Sequence, residues 1–286
     1  MTAERMNDKL GQSSAVIDAP LQKNFVRDKP LLRKARRACL FLGALMLATT
    51  ASRADNPAPP GLPVVTFLGQ SFLTRTIDPR KEDLRLFLND DQGTLLHGFA
   101  PLDKYVSSKG GHLAFAANAG MFEPTMKPVG LLVLNGTEQS PINLSDGGGN
   151  FYMKPNGIFV INDKHEALVV ESSTYAALLS PVMWATQSGP LLVHGGDINP
   201  DFNAASQSKK IRSGVGVTKD GLVVLALSQA PVTFYDFASF FLTKMKCPNA
   251  LFLDGEISAF YVSGQKDDSP HTFGPMFGLV ETKTDK

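Results

Sequence analysis

Two dipeptides, Asn135-Gly136 and Asp220-Gly221, constrain this chain more than any other feature, because each closes one apolar run. A tight hairpin turn needs positive φ at its central residues, and Asn-Gly and Asp-Gly are the pairs that supply it most readily. "VGLLVLNG" (129–136) therefore predicts a strand ending in a turn, and "RSGVGVTKDGLVVLALS" (212–228) predicts a hairpin. "GIFVI" (157–161) and "ALVVES" (167–172), flanking "NDKHE", predict another. "LRLFL" (84–88) and "HLAFAANAG" (112–120) are further short apolar runs that stop at turn residues.

One helix is well signalled. Thr233 is placed to cap it, and Asp236 follows at capping-box spacing with Asp in place of Glu. Phe234, Phe237, Ala238, Phe241, Leu242 and Met245 recur at helical spacing, and Pro248 ends the run. A shorter helix is expected around 173–180. Strands outnumber helices, and hairpins are mixed with the helix-then-strand unit at 233–253. The expected fold is α+β: a single domain of mixed, mostly antiparallel β-sheet with a few helices.

The charge is uneven. Residues 1–54 hold 10 of the 28 Lys and Arg but 4 of the 27 Asp and Glu, leaving 18 basic and 23 acidic residues in 55–286. A body of that sign gives no case for nucleic acid binding. The basic excess sits in a block (Arg33, Lys34, Arg36, Arg37) before the apolar run "ACLFLGALMLA" (38–48) and the small-residue stretch "TTASRA". That order predicts an export signal over 1–54, cut after Ala54. The apolar run is too short to span a bilayer. "DNPAPPGLP" (55–63) is a Pro-rich linker, and 64–286 is the folded domain. Removing 1–54 would leave Cys247 as the one cysteine, with no internal disulfide. The expected location is periplasmic or secreted, with no membrane partner after cleavage.

The common catalytic signatures are absent. The five histidines are scattered, with no HxH or HExxH spacing and no cysteine pair, so zinc is not expected. The expected site uses no cofactor and no metal ligand, and "SDGGGN" offers oxygen donors without a defined Ca2+ ligand pattern. "SDGGGNF" lacks the Gly-Lys-Ser/Thr of a phosphate loop, and Ser188 in "TQSGP" is not in a nucleophile elbow. What remains is a set of polar residues beside glycines at strand ends: Asn118, Asp146, Lys154, Asn156, Gln187, Ser188, Arg212, Asp254, Glu256, Ser258 and Tyr261. Loops at strand ends carry binding sites because a rigid sheet positions them. Taken singly, Asn118 and Asp146 also read as turn residues, and Lys154 as a solvated charge. The single tryptophan, Trp184, reads as core more readily than as a sugar platform.

Taken in order, "NAGMF" (118–122), "PVGLLV" (128–133), "NLSDGGGNFYMKPNGIF" (143–159), "ATQSGPLLV" (185–193), "RSGVGV" (212–217), "PVTFYDFASFF" (231–241) and "CPNALFLDGEISAFY" (247–261) resemble the phosphodiester glycosidase family, in its bacterial periplasmic branch. The resemblance implies removal of a sugar joined through its anomeric carbon to a phosphodiester, on a carbohydrate or glycosyl-phosphate substrate. It implies catalytic roles for Asp254, Arg212 and Asn118. Asp146, Lys154, Asn156, Gln187, Ser188, Ser258 and Tyr261 would contact substrate. Glu256 stands where the family has a small residue, so it inherits no role. Two other readings stay open: a non-catalytic periplasmic sugar-binding or exopolysaccharide-assembly factor using the same cleft, and a generic phosphodiesterase or phosphatase, which would normally want a metal cluster.

Overall fold

A seven-stranded sheet runs in the spatial order β1 (Val64–Phe67), β2 (Gln70–Ile77), β13 (Val223–Ser228), β12 (Ser213–Val217), β14 (Asn249–Asp254), β10 (Leu191–His194), β11 (Asp197–Ile198). A four-stranded sheet has the order β15 (Phe260–Val262), β4 (Gly111–Asn118), β16 (Met276–Thr282), β3 (Asp83–Phe87). A five-stranded sheet has the order β6 (Thr137–Ser140), β5 (Leu132–Leu134), β9 (Val182–Ser188), β7 (Gly157–Asn162), β8 (Ala167–Glu171). Among the described residues every strand pair is antiparallel, for instance β12 with β13 and β12 with β14. The described helices are α1 (Phe99–Ser108) and α2 (Phe234–Ser239), with two short 3-10 segments and one π segment. This computed structural model describes residues 61–265 and 271–282. The expected export signal (1–54) and most of the linker lie outside the described residues.

The predicted hairpins form: β7 pairs with β8, and β12 with β13. Asn135 and Gly136 both take positive φ, 48° and 76°, in the turn from β5 to β6. Asp220-Gly221 belongs to a longer loop. There Thr218 N bonds Leu222 O at 2.9 Å, Gly221 N bonds Thr218 O at 3.0 Å, and Gly221 alone takes positive φ. The difference is physical: Thr218 Oγ1 also accepts from Leu222 N at 3.1 Å, which holds the extra residues in the turn. The helix expected near 173–180 is a 3-10 segment, Ser172–Ala177.

The period-two pattern of the strands sorts their side chains into two layers. Val215, Leu225, Leu251 and Leu253 point into a core shared by all three sheets, with Phe115, Ala117 and Phe277 from the second and Leu132, Phe159 and Ile161 from the third. Val224, Ala226, Ala250 and Phe252 point the other way, against Phe237, Phe240 and Phe241. A third cluster seats α1 on the four-stranded sheet through Phe99, Leu102 and Val106. Each fully buried Phe or Leu contributes about 1.5–3 kcal/mol of transfer free energy, so these layers supply the main driving force.

Thr233 Oγ1 accepts from Asp236 N at 3.0 Å, the cap that the sequence predicts. The helix is not α throughout, because its second half, Phe240–Lys244, is π. Met245 N bonds Phe240 O at 3.0 Å, five residues back. The wider turn places Phe240 and Phe241 consecutively in the core, both fully buried. Phe240, which the 3.6-residue stripe leaves out, stacks on Phe72 at 4.0 Å between ring centroids. The glycines of "SGVGV" allow this helix to approach. A Cβ on Gly214 would lie 3.0 Å from both Phe237 and Phe241, and one on Gly216 would lie 2.8 Å from Phe241.

Candidate active site

β12 and β14 are neighbours, and their register shifts where Ser213 meets Asp254. The irregularity falls at the last pair of the ladder, Ser213 with Asp254, next to the turn that follows β14. Asp254 Oδ1 accepts from Glu256 N at 2.6 Å and from Ile257 N at 2.8 Å, so the carboxylate organises the turn that follows it. Its second oxygen has no hydrogen-bond partner among the described residues. The chain bends at Gly255, leaving Glu256 exposed and breaking the extended geometry that would face its carboxylate the same way as that of Asp254.

Asn118 ends β4 in the neighbouring sheet and is 3% exposed. Its Nδ2 donates to Ser213 Oγ at 2.8 Å, and its Oδ1 accepts from Ala259 N at 3.3 Å. Ser258 Oγ lies 3.2 Å from Ser213 Oγ and 2.8 Å from Asp254 O. Each hydroxyl carries one proton, so one consistent chain runs from Asn118 Nδ2–H to Ser213, from Ser213 O–H to Ser258, and from Ser258 O–H to the Asp254 carbonyl. Ser213 is the hub of this chain. It is absent from the polar residues singled out in the sequence; its position between Arg212 and Gly214 at a strand start is the one signal it carries.

Arg212 precedes Ser213 and is 2% exposed. Its guanidinium lies 3.6 Å from the ring centroid of Phe234 and 5.5 Å from that of Phe252. Nε donates to Val232 O at 3.0 Å and Nη2 to Ser208 O at 3.4 Å. No carboxylate pairs with it among the described residues, and Nη1 has no hydrogen-bond partner there. A Cβ built on Gly255 would sit 3.9 Å from Nη1, so this nitrogen faces the Asp254 turn. Burial pulls the guanidinium down to about 10, which leaves it cationic at neutral pH. A buried cation without a counter-charge is costly, and an incoming anion would offset that cost.

The remaining candidates divide. Asp146 is exposed on the loop before the 3-10 turn Asn150–Tyr152. Lys154 is exposed, with Nζ 3.4 Å from Leu144 O and 3.3 Å from Ser145 O. The sequence places Gln187, Ser188, Asn156 and Tyr261 among ligand-facing residues, but their side chains bond within the protein. Gln187 Oε1 accepts from Leu131 N and Asn143 N, both at 2.9 Å. Its Nε2 donates to Asn143 O at 2.7 Å and Ser172 Oγ at 3.0 Å. All four positions of its amide are taken within the protein, which ties Leu131, Asn143 and Ser172 together. Ser188 Oγ donates to Leu253 O at 3.1 Å and Asn156 Nδ2 to Phe151 O at 3.0 Å, both from buried positions. Tyr261 packs in the α1 cluster, its hydroxyl 3.3 Å from Asp103 Oδ2. In each case burial forces the polar group to bond inside, because an unsatisfied one is expensive. Among the described residues, no three His, Cys, Asp or Glu side chains gather as a metal site.

Residues 111–276 match the phosphodiester glycosidase family. The chain is 32% identical over 225 residues to the uncharacterized protein YigE of Escherichia coli (strain K12), covering 79% of this chain and 85% of that one. Its fold is similar to that of the catalytic domain of zebrafish N-acetylglucosamine-1-phosphodiester alpha-N-acetylglucosaminidase, auto-inhibited by its pro-peptide. That likeness has a TM-score of 0.52 at 15% identity and covers 80% of this chain and 86% of the other.

Proposed function

The chain belongs to the phosphodiester glycosidase family, and from that premise we propose that it hydrolyses the bond between a sugar's anomeric carbon and a phosphodiester. The observation that carries this reading is the placement of Arg212 and Asp254 at the adjoining ends of neighbouring strands, Arg212 just before β12 and Asp254 at the end of β14, where Ser213 pairs with Asp254. One is a buried guanidinium with no carboxylate partner and an unbonded Nη1. The other is a carboxylate with one oxygen fixed and one open. A phosphate seated on Arg212 would set the anomeric carbon of its sugar toward Asp254.

The chemistry suits that pair. When the bond from the anomeric carbon to oxygen breaks, the electron pair leaves with a phosphate monoester, a weak base needing little protonation. A raised-pKa general acid is therefore less necessary than in ordinary glycosidases. The open oxygen of Asp254 serves either as nucleophile at the anomeric carbon or as the base that takes a proton from attacking water. Arg212 holds the charge that builds on the departing phosphate. Asn118, Ser213 and Ser258 fix the turn that carries Asp254. Lys154 and Asp146 sit on exposed loop positions open to substrate. Residues 1–54 act as the export signal, 64–286 as the hydrolase domain, and the enzyme works in the periplasm or outside the cell, as in the bacterial branch the sequence resembles.

The test is release of N-acetylglucosamine from UDP-N-acetylglucosamine by purified protein and its Asp254→Asn and Asp254→Ala variants. Release by wild type and loss in both variants supports the reading. Undiminished release in both variants removes Asp254 from the chemistry. Saturable binding of the nucleotide sugar without release makes the protein a sugar-phosphate binder using the same residues.

A further inference from the structure

β4, which ends on Asn118 in the candidate site, and β9, which ends on Ser188, begin somewhere else. β4 runs from Gly111 to Asn118 and β9 from Val182 to Ser188. Gly111, Met183 and Trp184 line a separate cleft of about 900 Å³ between the four-stranded and five-stranded sheets. At about 3.3 Å per residue, seven steps along β4 put it about 23 Å from Asn118.

The cleft has a built wall. Arg85 is clamped on Asp83, with Nε 2.9 and 3.0 Å from its two carboxylate oxygens. Asp91 accepts from the Tyr105 hydroxyl at 2.5 Å and pairs with Lys109. Opposite in the same cleft stands Trp184, half-buried, with one side packed on the central core. Its indole N–H has no acceptor among the described residues and is not sealed from solvent. Asn89, also in the wall, holds a buried Oδ1 without a donor. The lining carboxylates (Asp83, Asp91, Asp163, Glu281) outnumber the lining cations (Arg85, Lys109) by two.

We infer that this cleft is a second carbohydrate site, which takes a neutral oligosaccharide. A pyranose has apolar C–H faces and a rim of hydroxyls. Trp184 offers an aromatic surface to the first and an open donor to the second. The clamped Asp83–Arg85 and Asp91–Tyr105 pairs present fixed donors and acceptors, so little side-chain freedom is lost on binding. The excess of carboxylates repels uronic or phosphorylated glycans. A site with an aromatic surface and a few convergent polar groups is the usual form of a small-molecule pocket. This inference stands independently of the hydrolytic reading.

Trp184 is the chain's one tryptophan, so its fluorescence reports on this cleft alone. The protein is titrated with chitohexaose, cellohexaose and maltohexaose, and with hexagalacturonate as the charged comparison. A saturable change in emission with at least one neutral hexasaccharide is expected, with hexagalacturonate binding at least about tenfold more weakly. Asp254→Asn should leave the affinity unchanged, which separates this site from the proposed active site. Arg85→Gln should weaken it about tenfold, and Trp184→Phe, followed by calorimetry, should weaken it as much, both at near wild-type melting temperature. No change with any neutral hexasaccharide up to about 10 mM, well above weak millimolar affinities, would overturn the inference. So would equal binding of hexagalacturonate, or undiminished affinity in both Arg85→Gln and Trp184→Phe.

Discussion

Asn118 Nδ2 donates to Ser213 Oγ at 2.8 Å, joining the end of a strand in one sheet to the start of a strand in another. Through Ser213 the bond reaches Ser258 and the carbonyl of Asp254. The candidate catalytic turn is therefore held from two sheets at once. Asn118→Ala leaves a hydroxyl and the Ala259 amide short of a partner, at a cost of about 1–3 kcal/mol. A lower melting temperature, together with a fall in sugar release larger than the unfolded fraction explains, is the expected result.

Arg212 should behave in the opposite way toward stability. Its charge is buried without a carboxylate, so Arg212→Met removes a desolvation cost while keeping apolar length between Phe234 and Phe252. The melting temperature should hold or rise, while kcat/KM for the phosphodiester falls by about 10²–10³, as for other lost transition-state donors. Arg212→Lys should not restore activity, because a lysine has no planar fork. Paired denaturation and kinetic measurements on the two variants check both halves.

Gly214 and Gly216 face the helix. A methyl at Gly214 would also meet the Leu251 carbonyl oxygen at 3.1 Å, and one at Gly216 would meet Cys247 Sγ at 2.9 Å. Gly214→Ala and Gly216→Ala should each lower stability by about 1–3 kcal/mol through overpacking, read as a lower urea midpoint. Burial pushes the Cys247 thiol up to about 12, so alkylating reagents should label it only on unfolding.

Tyr105 is pushed up to about 12, first by burial and then by its bond to Asp91. The folded pKa lies above the unfolded value of about 10, so the stabilising contribution is complete below pH 10 and is lost as pH rises toward 12. Absorbance of tyrosinate should show one group titrating near pH 12 that disappears in Tyr105→Phe. In Asp91→Asn that titration should move down, without returning to the ordinary value, because burial remains.

The local elements were legible because local chemistry decides them. Asn135-Gly136 takes positive φ at both positions, and Thr233 caps α2, since in each case the residues that set the geometry adjoin it in sequence. Even so, Phe240 escaped the helical stripe. The 3.6-residue period does not anticipate a π segment, which forms here where two adjacent aromatics both find buried space beside Phe72 and Gly214.

By itself the sequence determined the α+β class, the hairpins, the capped helix and the polar strand ends that belong to the family. The tertiary structure decided which polar residues remain open to a ligand. Gln187 sits in "ATQSGP" much as Asp254 sits in "FLDGEIS", polar and next to a turn, yet Gln187 spends all four amide positions on Leu131, Asn143 and Ser172 while Asp254 keeps one oxygen open. Ser213 becomes a hub because Asn118, 95 residues away, ends its strand beside it. A hydrogen bond depends on distance in space, and burial decides whether a polar group must find its partner inside the protein. Neither is a property of a residue's neighbours in the chain, so the candidate site emerged only when the sheets came together.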